Sequence, residues 1–168
     1  FSKLDIIYIC VSTPNKNNSI DLKFIKNVIY EISFLLKTTK KKPMIIIKST
    51  VAPQTTNSLI EILSKNSKKI LGIDYFLIVN PEFLREGTAL DDQMNPHLIV
   101  IGCEDLKSKN KIKNFYKKIY SEKIPRTFTN YSTAELIKYS NNAFLATKIS
   151  FINSIANLCE KIPGANVD

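Results

Sequence analysis

Glycine is scarce in this 168-residue chain, which contains only four glycines. They are Gly72, Gly87, Gly102 and Gly164, and each lies at least 15 positions from the next. A G-x-G-x-x-G turn or a P-loop needs glycines close together, so that backbone N–H groups can approach a phosphate. Both fingerprints are therefore excluded from this chain.

Long apolar runs are absent as well, although 44% of the residues are hydrophobic. No run reaches the roughly 18 residues that a membrane-spanning helix needs. The first residues, Phe1 to Asp5, also lack the basic region and apolar stretch of a signal peptide. We therefore expect a soluble, cytoplasmic protein of one ordinary domain, with no membrane partner.

Soft metal ligands are few. His97 is the single histidine, and Cys10, Cys103 and Cys159 are widely spaced with no C-x-x-C pair. This spacing excludes a zinc site, and we expect no metal. Cys10 lies in an apolar run and Cys159 in a helical pattern, so both are predicted to be small buried side chains in a reducing compartment.

Arginine is almost missing from a chain with a net charge of +9, since Arg85 and Arg126 are the only arginines among 24 basic residues. Base readout and bidentate phosphate contacts favour arginine over lysine. Lys, Ile and Asn all have AT-rich codons, so a coding bias explains the positive charge without an anionic partner. We expect no nucleic-acid partner, and a lysine-rich nucleic-acid-binding module is the alternative from a different functional class.

Short β-branched runs alternate with helical patterns along most of the chain. This alternation predicts an α/β fold with a mainly parallel sheet, because parallel strands are joined by crossover helices. Ser19 is the predicted N-cap of the first helix. The predicted strands cover residues 6–11, 44–47, 75–79, 98–101 and 126–129, and the predicted helices 22–36, 59–63 and 106–120.

One long helix is predicted from Ser132 onward. Ser132 and Glu135 match a capping box, and no Pro or Gly follows before Pro163. About 30 residues would form a rod of roughly 45 Å. Its apolar residues, such as Phe144 and Ile152, need a cover, so the helix is predicted to join two domains or to pack against a second subunit.

Three of the predicted strands end in polar residues: Val11-Ser12-Thr13-Pro14, Lys48-Ser49-Thr50-Val51 and Val79-Asn80-Pro81-Glu82. Ligands of open α/β sheets bind beyond the carboxyl ends of the strands. Each turn alone is ordinary turn chemistry. Three of them on one sheet edge predict a ligand site with hydroxyl groups for a ribose or a phosphate.

Two further pairs carry charge or amide groups near this edge. Glu82 and Glu86 flank Arg85 in the segment 80–87, and they share a face if the segment is helical. Lys138 and Asn142 are four residues apart on the long helix, so they could stabilise a developing oxyanion together. Either pair alone would more often be solvated surface.

Several segments together resemble the nucleotide-sugar 6-dehydrogenases of the UDP-glucose/GDP-mannose dehydrogenase family, and among them most closely the UDP-glucose 6-dehydrogenases. The segments are IIYICVSTP (6–14), KSTV (48–51), NPEFLREG (80–87), NPHLIVIG (95–102) and ELIKYSNNAFLATKISFINSIANLCE (135–160). The resemblance implies that residues 1–131 are the later part of a Rossmann-type NAD-binding domain. Residues 132–168 would be the long central helix, which connects domains and forms a homodimer or higher homo-oligomer.

The activity implied by this resemblance is a four-electron oxidation of UDP-glucose to UDP-glucuronate. Two NAD are consumed, and a cysteine carries thiohemiacetal and thioester intermediates. GDP-mannose and UDP-N-acetyl-hexosamine are alternative substrates, because the residues that read the base and the sugar lie mostly outside this stretch. A degenerate, noncatalytic dimerisation domain is a third hypothesis.

The resemblance also implies roles for individual residues. Val11, Ser12, Thr13, Pro14, Ser49 and Thr50 would contact NAD, and Thr50 would also place a catalytic water. Glu82, Phe83, Leu84, Arg85 and Glu86 would bind the sugar, with Glu86 also touching the nicotinamide end and serving hydrolysis. Lys138 and Asn142 would bind substrate and stabilise the alkoxide and oxyanion.

Parts of the family pattern are missing from this sequence. These are the G-x-G-x-x-G turn, the acidic ribose-binding residue and the glycine-rich segment around the nucleophilic cysteine. We therefore expect an internal fragment of a longer enzyme, inactive by itself.

Overall fold

A five-stranded sheet lies at the centre of the chain in the computed structural model, which describes residues 4–16 and 19–167. Five helices and a small two-stranded hairpin complete the described part. In chain order the elements are β1 (Ile6–Ile9), β2 (Asn15–Lys16), β3 (Ser19–Ile20), α1 (Lys23–Thr38), β4 (Met44–Ile47), α2 (Thr55–Ser67), β5 (Phe76–Val79), α3 (Ala89–Met94), β6 (Ile99–Gly102), α4 (Leu106–Tyr116), β7 (Arg126–Thr129) and α5 (Tyr131–Cys159).

The sheet has the strand order β1-β4-β5-β6-β7 and is mainly parallel. β1, β4 and β5 run parallel, and so do β6 and β7. The two blocks join through a short antiparallel contact, in which Val79 pairs with Gly102. The predicted fold class is therefore confirmed, and the carboxyl ends of β1, β4 and β5 share one edge.

The core lies on both faces of the sheet because side chains of one strand alternate between them. Ile45 and Ile47 of β4 pack with α1 and α2, whereas Met44 and Ile46 pack with α4. All residues of β4, β5 and β6 are buried. Near-continuous apolar strands are expected where helices cover both faces.

Two predicted helix caps are wrong. Ser19 belongs to β3, where its hydroxyl donates to the Lys16 carbonyl, and Asp21 instead accepts from the backbone N–H of Lys23 at the start of α1. Ser19 is therefore part of the hairpin and does not cap α1, which begins at Lys23. The second error concerns the long helix.

The side chain of Asn130 caps α5, accepting from the N–H of Thr133 at 2.8 Å. The predicted capping box of Ser132 and Glu135 does not form, because the Glu135 carboxylate bonds to α2 instead.

The predicted burial of Cys10 is also wrong, since Cys10 is exposed and Cys159 is partly buried. Cys10 follows β1, which is an edge strand of the described sheet. Within residues 4–16 and 19–167, no helix is both long and apolar enough to cross a membrane. The same residues hold no group of three or more His, Cys, Asp and Glu that could bind a metal.

Gly102 allows the long helix α5 to pack closely against the sheet. A Cβ atom at this position would lie 2.7 Å from the Cβ of Ala134 and 3.0 Å from the carbonyl oxygen of Asn130. Only glycine therefore permits this approach. Tyr131, Ala134, Glu135 and Lys138 are buried in the first turns of α5, while most of its later apolar residues are exposed.

Candidate active site

The three polar strand ends meet at one edge of the sheet, as predicted. The Ser49 hydroxyl donates to the Val11 carbonyl at 2.7 Å, and the Thr13 hydroxyl donates to the Thr50 carbonyl at 2.6 Å. These bonds join the loop after β1 to the loop after β4. Ser12 and Pro14 of the first loop are exposed, whereas Ser49 and Thr50 are half-buried.

A cleft of about 320 Å³ opens beside these loops. Thr13, Thr50, Tyr139 and Asn142 are among the residues that line it. Such a lining suits the ribose and nicotinamide groups of NAD, because it combines neutral polar atoms with an aromatic surface. Its position also fits, since dinucleotides bind at the carboxyl edge of parallel strands.

A partly buried ion pair lies next along the same edge. The Lys138 ammonium is 3.0 Å from a Glu82 carboxylate oxygen, and their side chains are 7% and 29% exposed. The ammonium also lies 5.4 Å from the ring centre of Phe83. α5 supplies Lys138, and the loop after β5 supplies Glu82 and Phe83.

Glu82 is held in its ionised form. Partial burial raises the pKa of the Glu82 carboxyl, but the backbone N–H of Leu84, at 2.7 Å, and the Lys138 ammonium together bring that pKa below its usual value. The site thus has a fixed positive charge that stays bound to a carboxylate.

The segment 80–87 is a loop, so Glu82 and Glu86 do not share a helical face. Glu86 is exposed in the turn that precedes α3. The Arg85 guanidinium bonds to Asp92 at 2.7 Å, and the Arg85 backbone N–H donates to the same carboxylate at 2.8 Å. Arg85 holds the pKa of Asp92 well below its ordinary value and closes the loop onto α3.

The predicted residues therefore divide into two groups. Thr13, Thr50 and Asn142 lie around the cleft, while Lys138 lies with Glu82 and Phe83. Glu82, Phe83 and Leu84 line a second pocket. Asn142 belongs to the first group, one turn of α5 beyond Lys138.

Lys48 and Asn80 line that second pocket too, but the predicted site omits both. The Asn80 amide oxygen accepts from the Lys48 ammonium at 3.1 Å and from the Tyr116 hydroxyl at 2.6 Å. The Asn80 amide nitrogen donates to the Val100 carbonyl at 2.7 Å. One sequence feature could have identified Lys48 and Asn80: each is a polar residue directly after a fully apolar strand.

The charge on Lys48 is unusually easy to remove. Burial lowers the pKa of Lys48 to about 8, and the Lys138 ammonium acts in the same direction, while Cys10 and Glu82 oppose them. Lys48 therefore lies within the electrostatic reach of the Glu82–Lys138 pair.

Two family models match this chain. Residues 1–120 match the NAD binding domain of the UDP-glucose/GDP-mannose dehydrogenase family, and residues 132–168 match its central domain.

Among curated proteins, the chain is 40% identical to a UDP-glucose 6-dehydrogenase from Rickettsia typhi over 99% of its length, and this match covers 37% of that protein. It is 38% identical to a GDP-mannose 6-dehydrogenase from Pseudomonas putida, over 94% of this chain and 36% of the relative. The chain thus spans little more than a third of the relatives that it matches.

Solved structures agree with these matches. A ternary complex of GDP-mannose dehydrogenase from Pseudomonas aeruginosa has a TM-score of 0.91 at 33% identity, covering 99% of this chain and 38% of that one. A UDP-glucose dehydrogenase from Pyrobaculum islandicum has a TM-score of 0.84 at 32% identity, covering 94% of this chain and 36% of that one.

Proposed function

The chain belongs to the UDP-glucose/GDP-mannose dehydrogenase family, with NAD as its cofactor, and we propose that its parent protein oxidises UDP-glucose to UDP-glucuronate. The C6 alcohol would become a carboxylate, with two NAD and one water consumed and two NADH and three protons formed. The observation that carries this proposal is the partly buried Lys138–Glu82 pair beside the cleft at the strand edge.

Bound NAD would accept the hydride that leaves the sugar C6. Around the cleft, the residues that hold it would be Val11, Ser12, Thr13, Pro14, Ser49 and Thr50. Thr13 and Ser49 would act mainly by fixing the loops, because both hydroxyls donate to backbone carbonyls. Thr50 and Asn142 would present polar atoms to the ligand, and Thr50 would also orient the water.

Lys138 would stabilise the negative charge that develops on the C6 oxygen. Its ammonium is largely removed from water, so its electrostatic effect on an oxyanion exceeds that of an exposed lysine. Glu82 keeps this ammonium in place before the substrate arrives.

The loop 82–86 would hold the sugar. Glu82, Phe83 and Leu84 line the adjoining pocket, and Arg85 would keep the loop in shape through its bonds to Asp92. Glu86, exposed at the end of this loop, would reach the nicotinamide end and assist hydrolysis.

GDP-mannose is a second candidate substrate. It is favoured by the 38% identity to the Pseudomonas putida enzyme and by the TM-score of 0.91 to the Pseudomonas aeruginosa structure. UDP-N-acetyl-hexosamines are a third, since a UDP-D-ManNAc dehydrogenase from Pyrococcus horikoshii has a TM-score of 0.85 at 26% identity.

We also propose that residues 1–131 form part of the NAD-binding domain and residues 132–168 the connecting and dimerising helix. The 168-residue stretch alone would be inactive. Its three free cysteines suit the reducing cytoplasm.

The test is NADH formation, followed by absorbance, by the full-length protein with UDP-glucose, GDP-mannose and UDP-N-acetylmannosamine in turn. UDP-glucose is expected to give the highest kcat/KM. Lys138→Met is expected to lower kcat by about 100-fold to 1,000-fold, as for the loss of an oxyanion donor.

Lys148→Met, an exposed lysine on the same helix, is the matched control and is expected to keep kcat. A protein that oxidises GDP-mannose and ignores UDP-glucose would refute the substrate assignment. Equal kcat values for the two lysine variants would refute the role of Lys138.

A further inference from the structure

Glu135 is a buried carboxylate that joins α5 to the start of α2. Its residue is 2% exposed, and it stands one turn before Lys138 on α5. One carboxylate oxygen accepts from the backbone N–H of Thr56 at 2.8 Å and from the Thr56 hydroxyl at 2.6 Å. The other accepts from the backbone N–H of Gln54 at 2.7 Å.

These donors belong to the first turn of α2 and to the residue before it. N–H groups at a helix start have no partner within the helix, and the macrodipole there favours negative charge. Gln54 itself offers no side-chain cap and has a left-handed backbone, with φ of 71°. Glu135 therefore supplies from a distant helix the cap that α2 lacks locally.

The loop 48–54, which ends at this cap, carries Thr50. At its other end the loop is fixed by Ser49 and Thr50, through their bonds to Val11 and Thr13. At the α2 end, the loop is held by the hydrogen bonds that Glu135 accepts from Gln54 and Thr56. Glu135 and Lys138 lie on the same turn of α5, so this helix fixes the positions of both the loop 48–54 and the Lys138 ammonium.

We propose that Glu135 is a positioning residue that holds loop 48–54, and with it Thr50, in register with Lys138. The assignment rests on the proposed function, in which Thr50 orients water and Lys138 stabilises the oxyanion. Misplacement of either group by about 1 Å can cost about 100-fold in rate.

A carboxylate suits this position better than an amide. Burial raises the pKa of Glu135 above its ordinary value, and the three donors of Thr56 and Gln54 offset part of this rise by stabilising the charged form. Gln at this position would turn an NH₂ group toward one of the donors. One tie would then be lost with little change in side-chain size.

The experiment compares Glu135→Gln with Asp105→Asn in the full-length protein. Asp105 caps α4 in a similar way, accepting from the Ser108 N–H at 2.8 Å. It lies beside Gly72, near the amino end of β5 and away from the site. Both variants are expected to lower Tm, and Asp105→Asn is the control for lost stability.

Glu135→Gln is expected to lower kcat by about 10-fold to 100-fold with KM for the nucleotide sugar within about threefold. Asp105→Asn is expected to keep kcat. Amide hydrogen exchange at Gln54 and Thr56 should rise about tenfold or more in Glu135→Gln only. Should Glu135→Gln fail to fold, Thr56→Val removes the 2.6 Å hydroxyl bond alone, and a smaller fall in kcat is expected.

Unchanged kcat in Glu135→Gln, or an equal fall in both variants, would overturn the positioning role. A wild-type protein that oxidises none of the nucleotide sugars would refute the proposed function instead. In that case the exchange rates decide whether Glu135 ties the loop, and unchanged rates at Gln54 and Thr56 would overturn the inference.

Discussion

Lys48 directs its ammonium to an amide oxygen of Asn80 at the end of a buried strand. Burial lowers its pKa to about 8, below the ordinary value of about 10.4 that applies in the unfolded chain. The unfolded state therefore binds more protons than the folded state between about pH 8 and pH 10. By linkage, the contribution of Lys48 to stability rises with pH in this window, and below it the cost of burying the charge is at its largest.

Replacement of Lys48 by Met should remove this dependence. From pH 7 to pH 10, the free energy of unfolding of the wild type should gain about 2 to 3 kcal/mol relative to Lys48→Met. Urea unfolding of the full-length protein at several pH values measures this difference. Lys42→Met, an exposed lysine, should follow the wild type, and parallel curves for wild type and Lys48→Met would contradict the prediction.

Glu135 shows what local patterns can and cannot predict at this scale. Ser132 and Glu135 have the spacing of a capping box, yet the carboxylate crosses to Gln54 and Thr56, which are about 80 positions away in sequence. Residue spacing describes neighbours on one helix, and only tertiary packing brings α2 beside α5. The strand-end hydroxyls could be predicted because strand order and direction alone place them together.

The elements themselves follow closely from the sequence where apolar runs are short and sharply bounded. The predicted strands 44–47 and 126–129 have the observed bounds. The helix predicted over 106–120 ends at Tyr116, since turns follow it. That earlier end leaves the Tyr116 hydroxyl with Asn80 and the Tyr120 hydroxyl with Gln93.

The close packing of α5 against β6 depends on Gly102, and a substitution at this position tests it. Gly102→Ala places a methyl group 2.7 Å from the Cβ of Ala134, so α5 or β6 must shift. We expect a loss of about 1 to 3 kcal/mol in the free energy of unfolding, as for other overpacked cores. Chemical unfolding measures the loss.

The double variant Gly102→Ala with Ala134→Gly relieves this clash. It should be more stable than the sum of the two single changes predicts, by about 0.5 kcal/mol or more, although glycine weakens the helix. Additive losses would contradict a direct contact between these two positions.

At the scale of the whole molecule, the later part of α5 presents a large apolar surface. Phe144, Ile149 and Phe151 are 64%, 61% and 65% exposed. Large contiguous apolar surfaces of soluble proteins commonly mark interfaces. The family expected from the sequence motifs is confirmed, while pairing through this helix stays a prediction.

Sedimentation of the full-length protein should therefore detect a dimer. Ile149→Glu should raise its dissociation constant by about 10-fold or more, since a charge would be buried in the interface. Asn157→Glu, an exposed polar position on the same helix, is the control and should leave the dimer intact. A wild-type monomer would contradict the prediction.

The sheet consists of two parallel blocks that meet at the short antiparallel contact between Val79 and Gly102. On one side, β1, β4 and β5 carry Thr13 and Thr50, and on the other, β6 and β7 lead directly into α5 and Lys138. Because the antiparallel contact between β5 and β6 is so short, the hydrogen bond from the Asn80 side chain to the Val100 carbonyl is a further link between the two blocks. Separation of the two blocks would move Thr13, Thr50 and Glu82, which follow β1, β4 and β5, away from Lys138 and Asn142 on α5, while each block keeps its own parallel strand pairing. The integrity of the site therefore depends on a narrower part of the molecule than the fold as a whole.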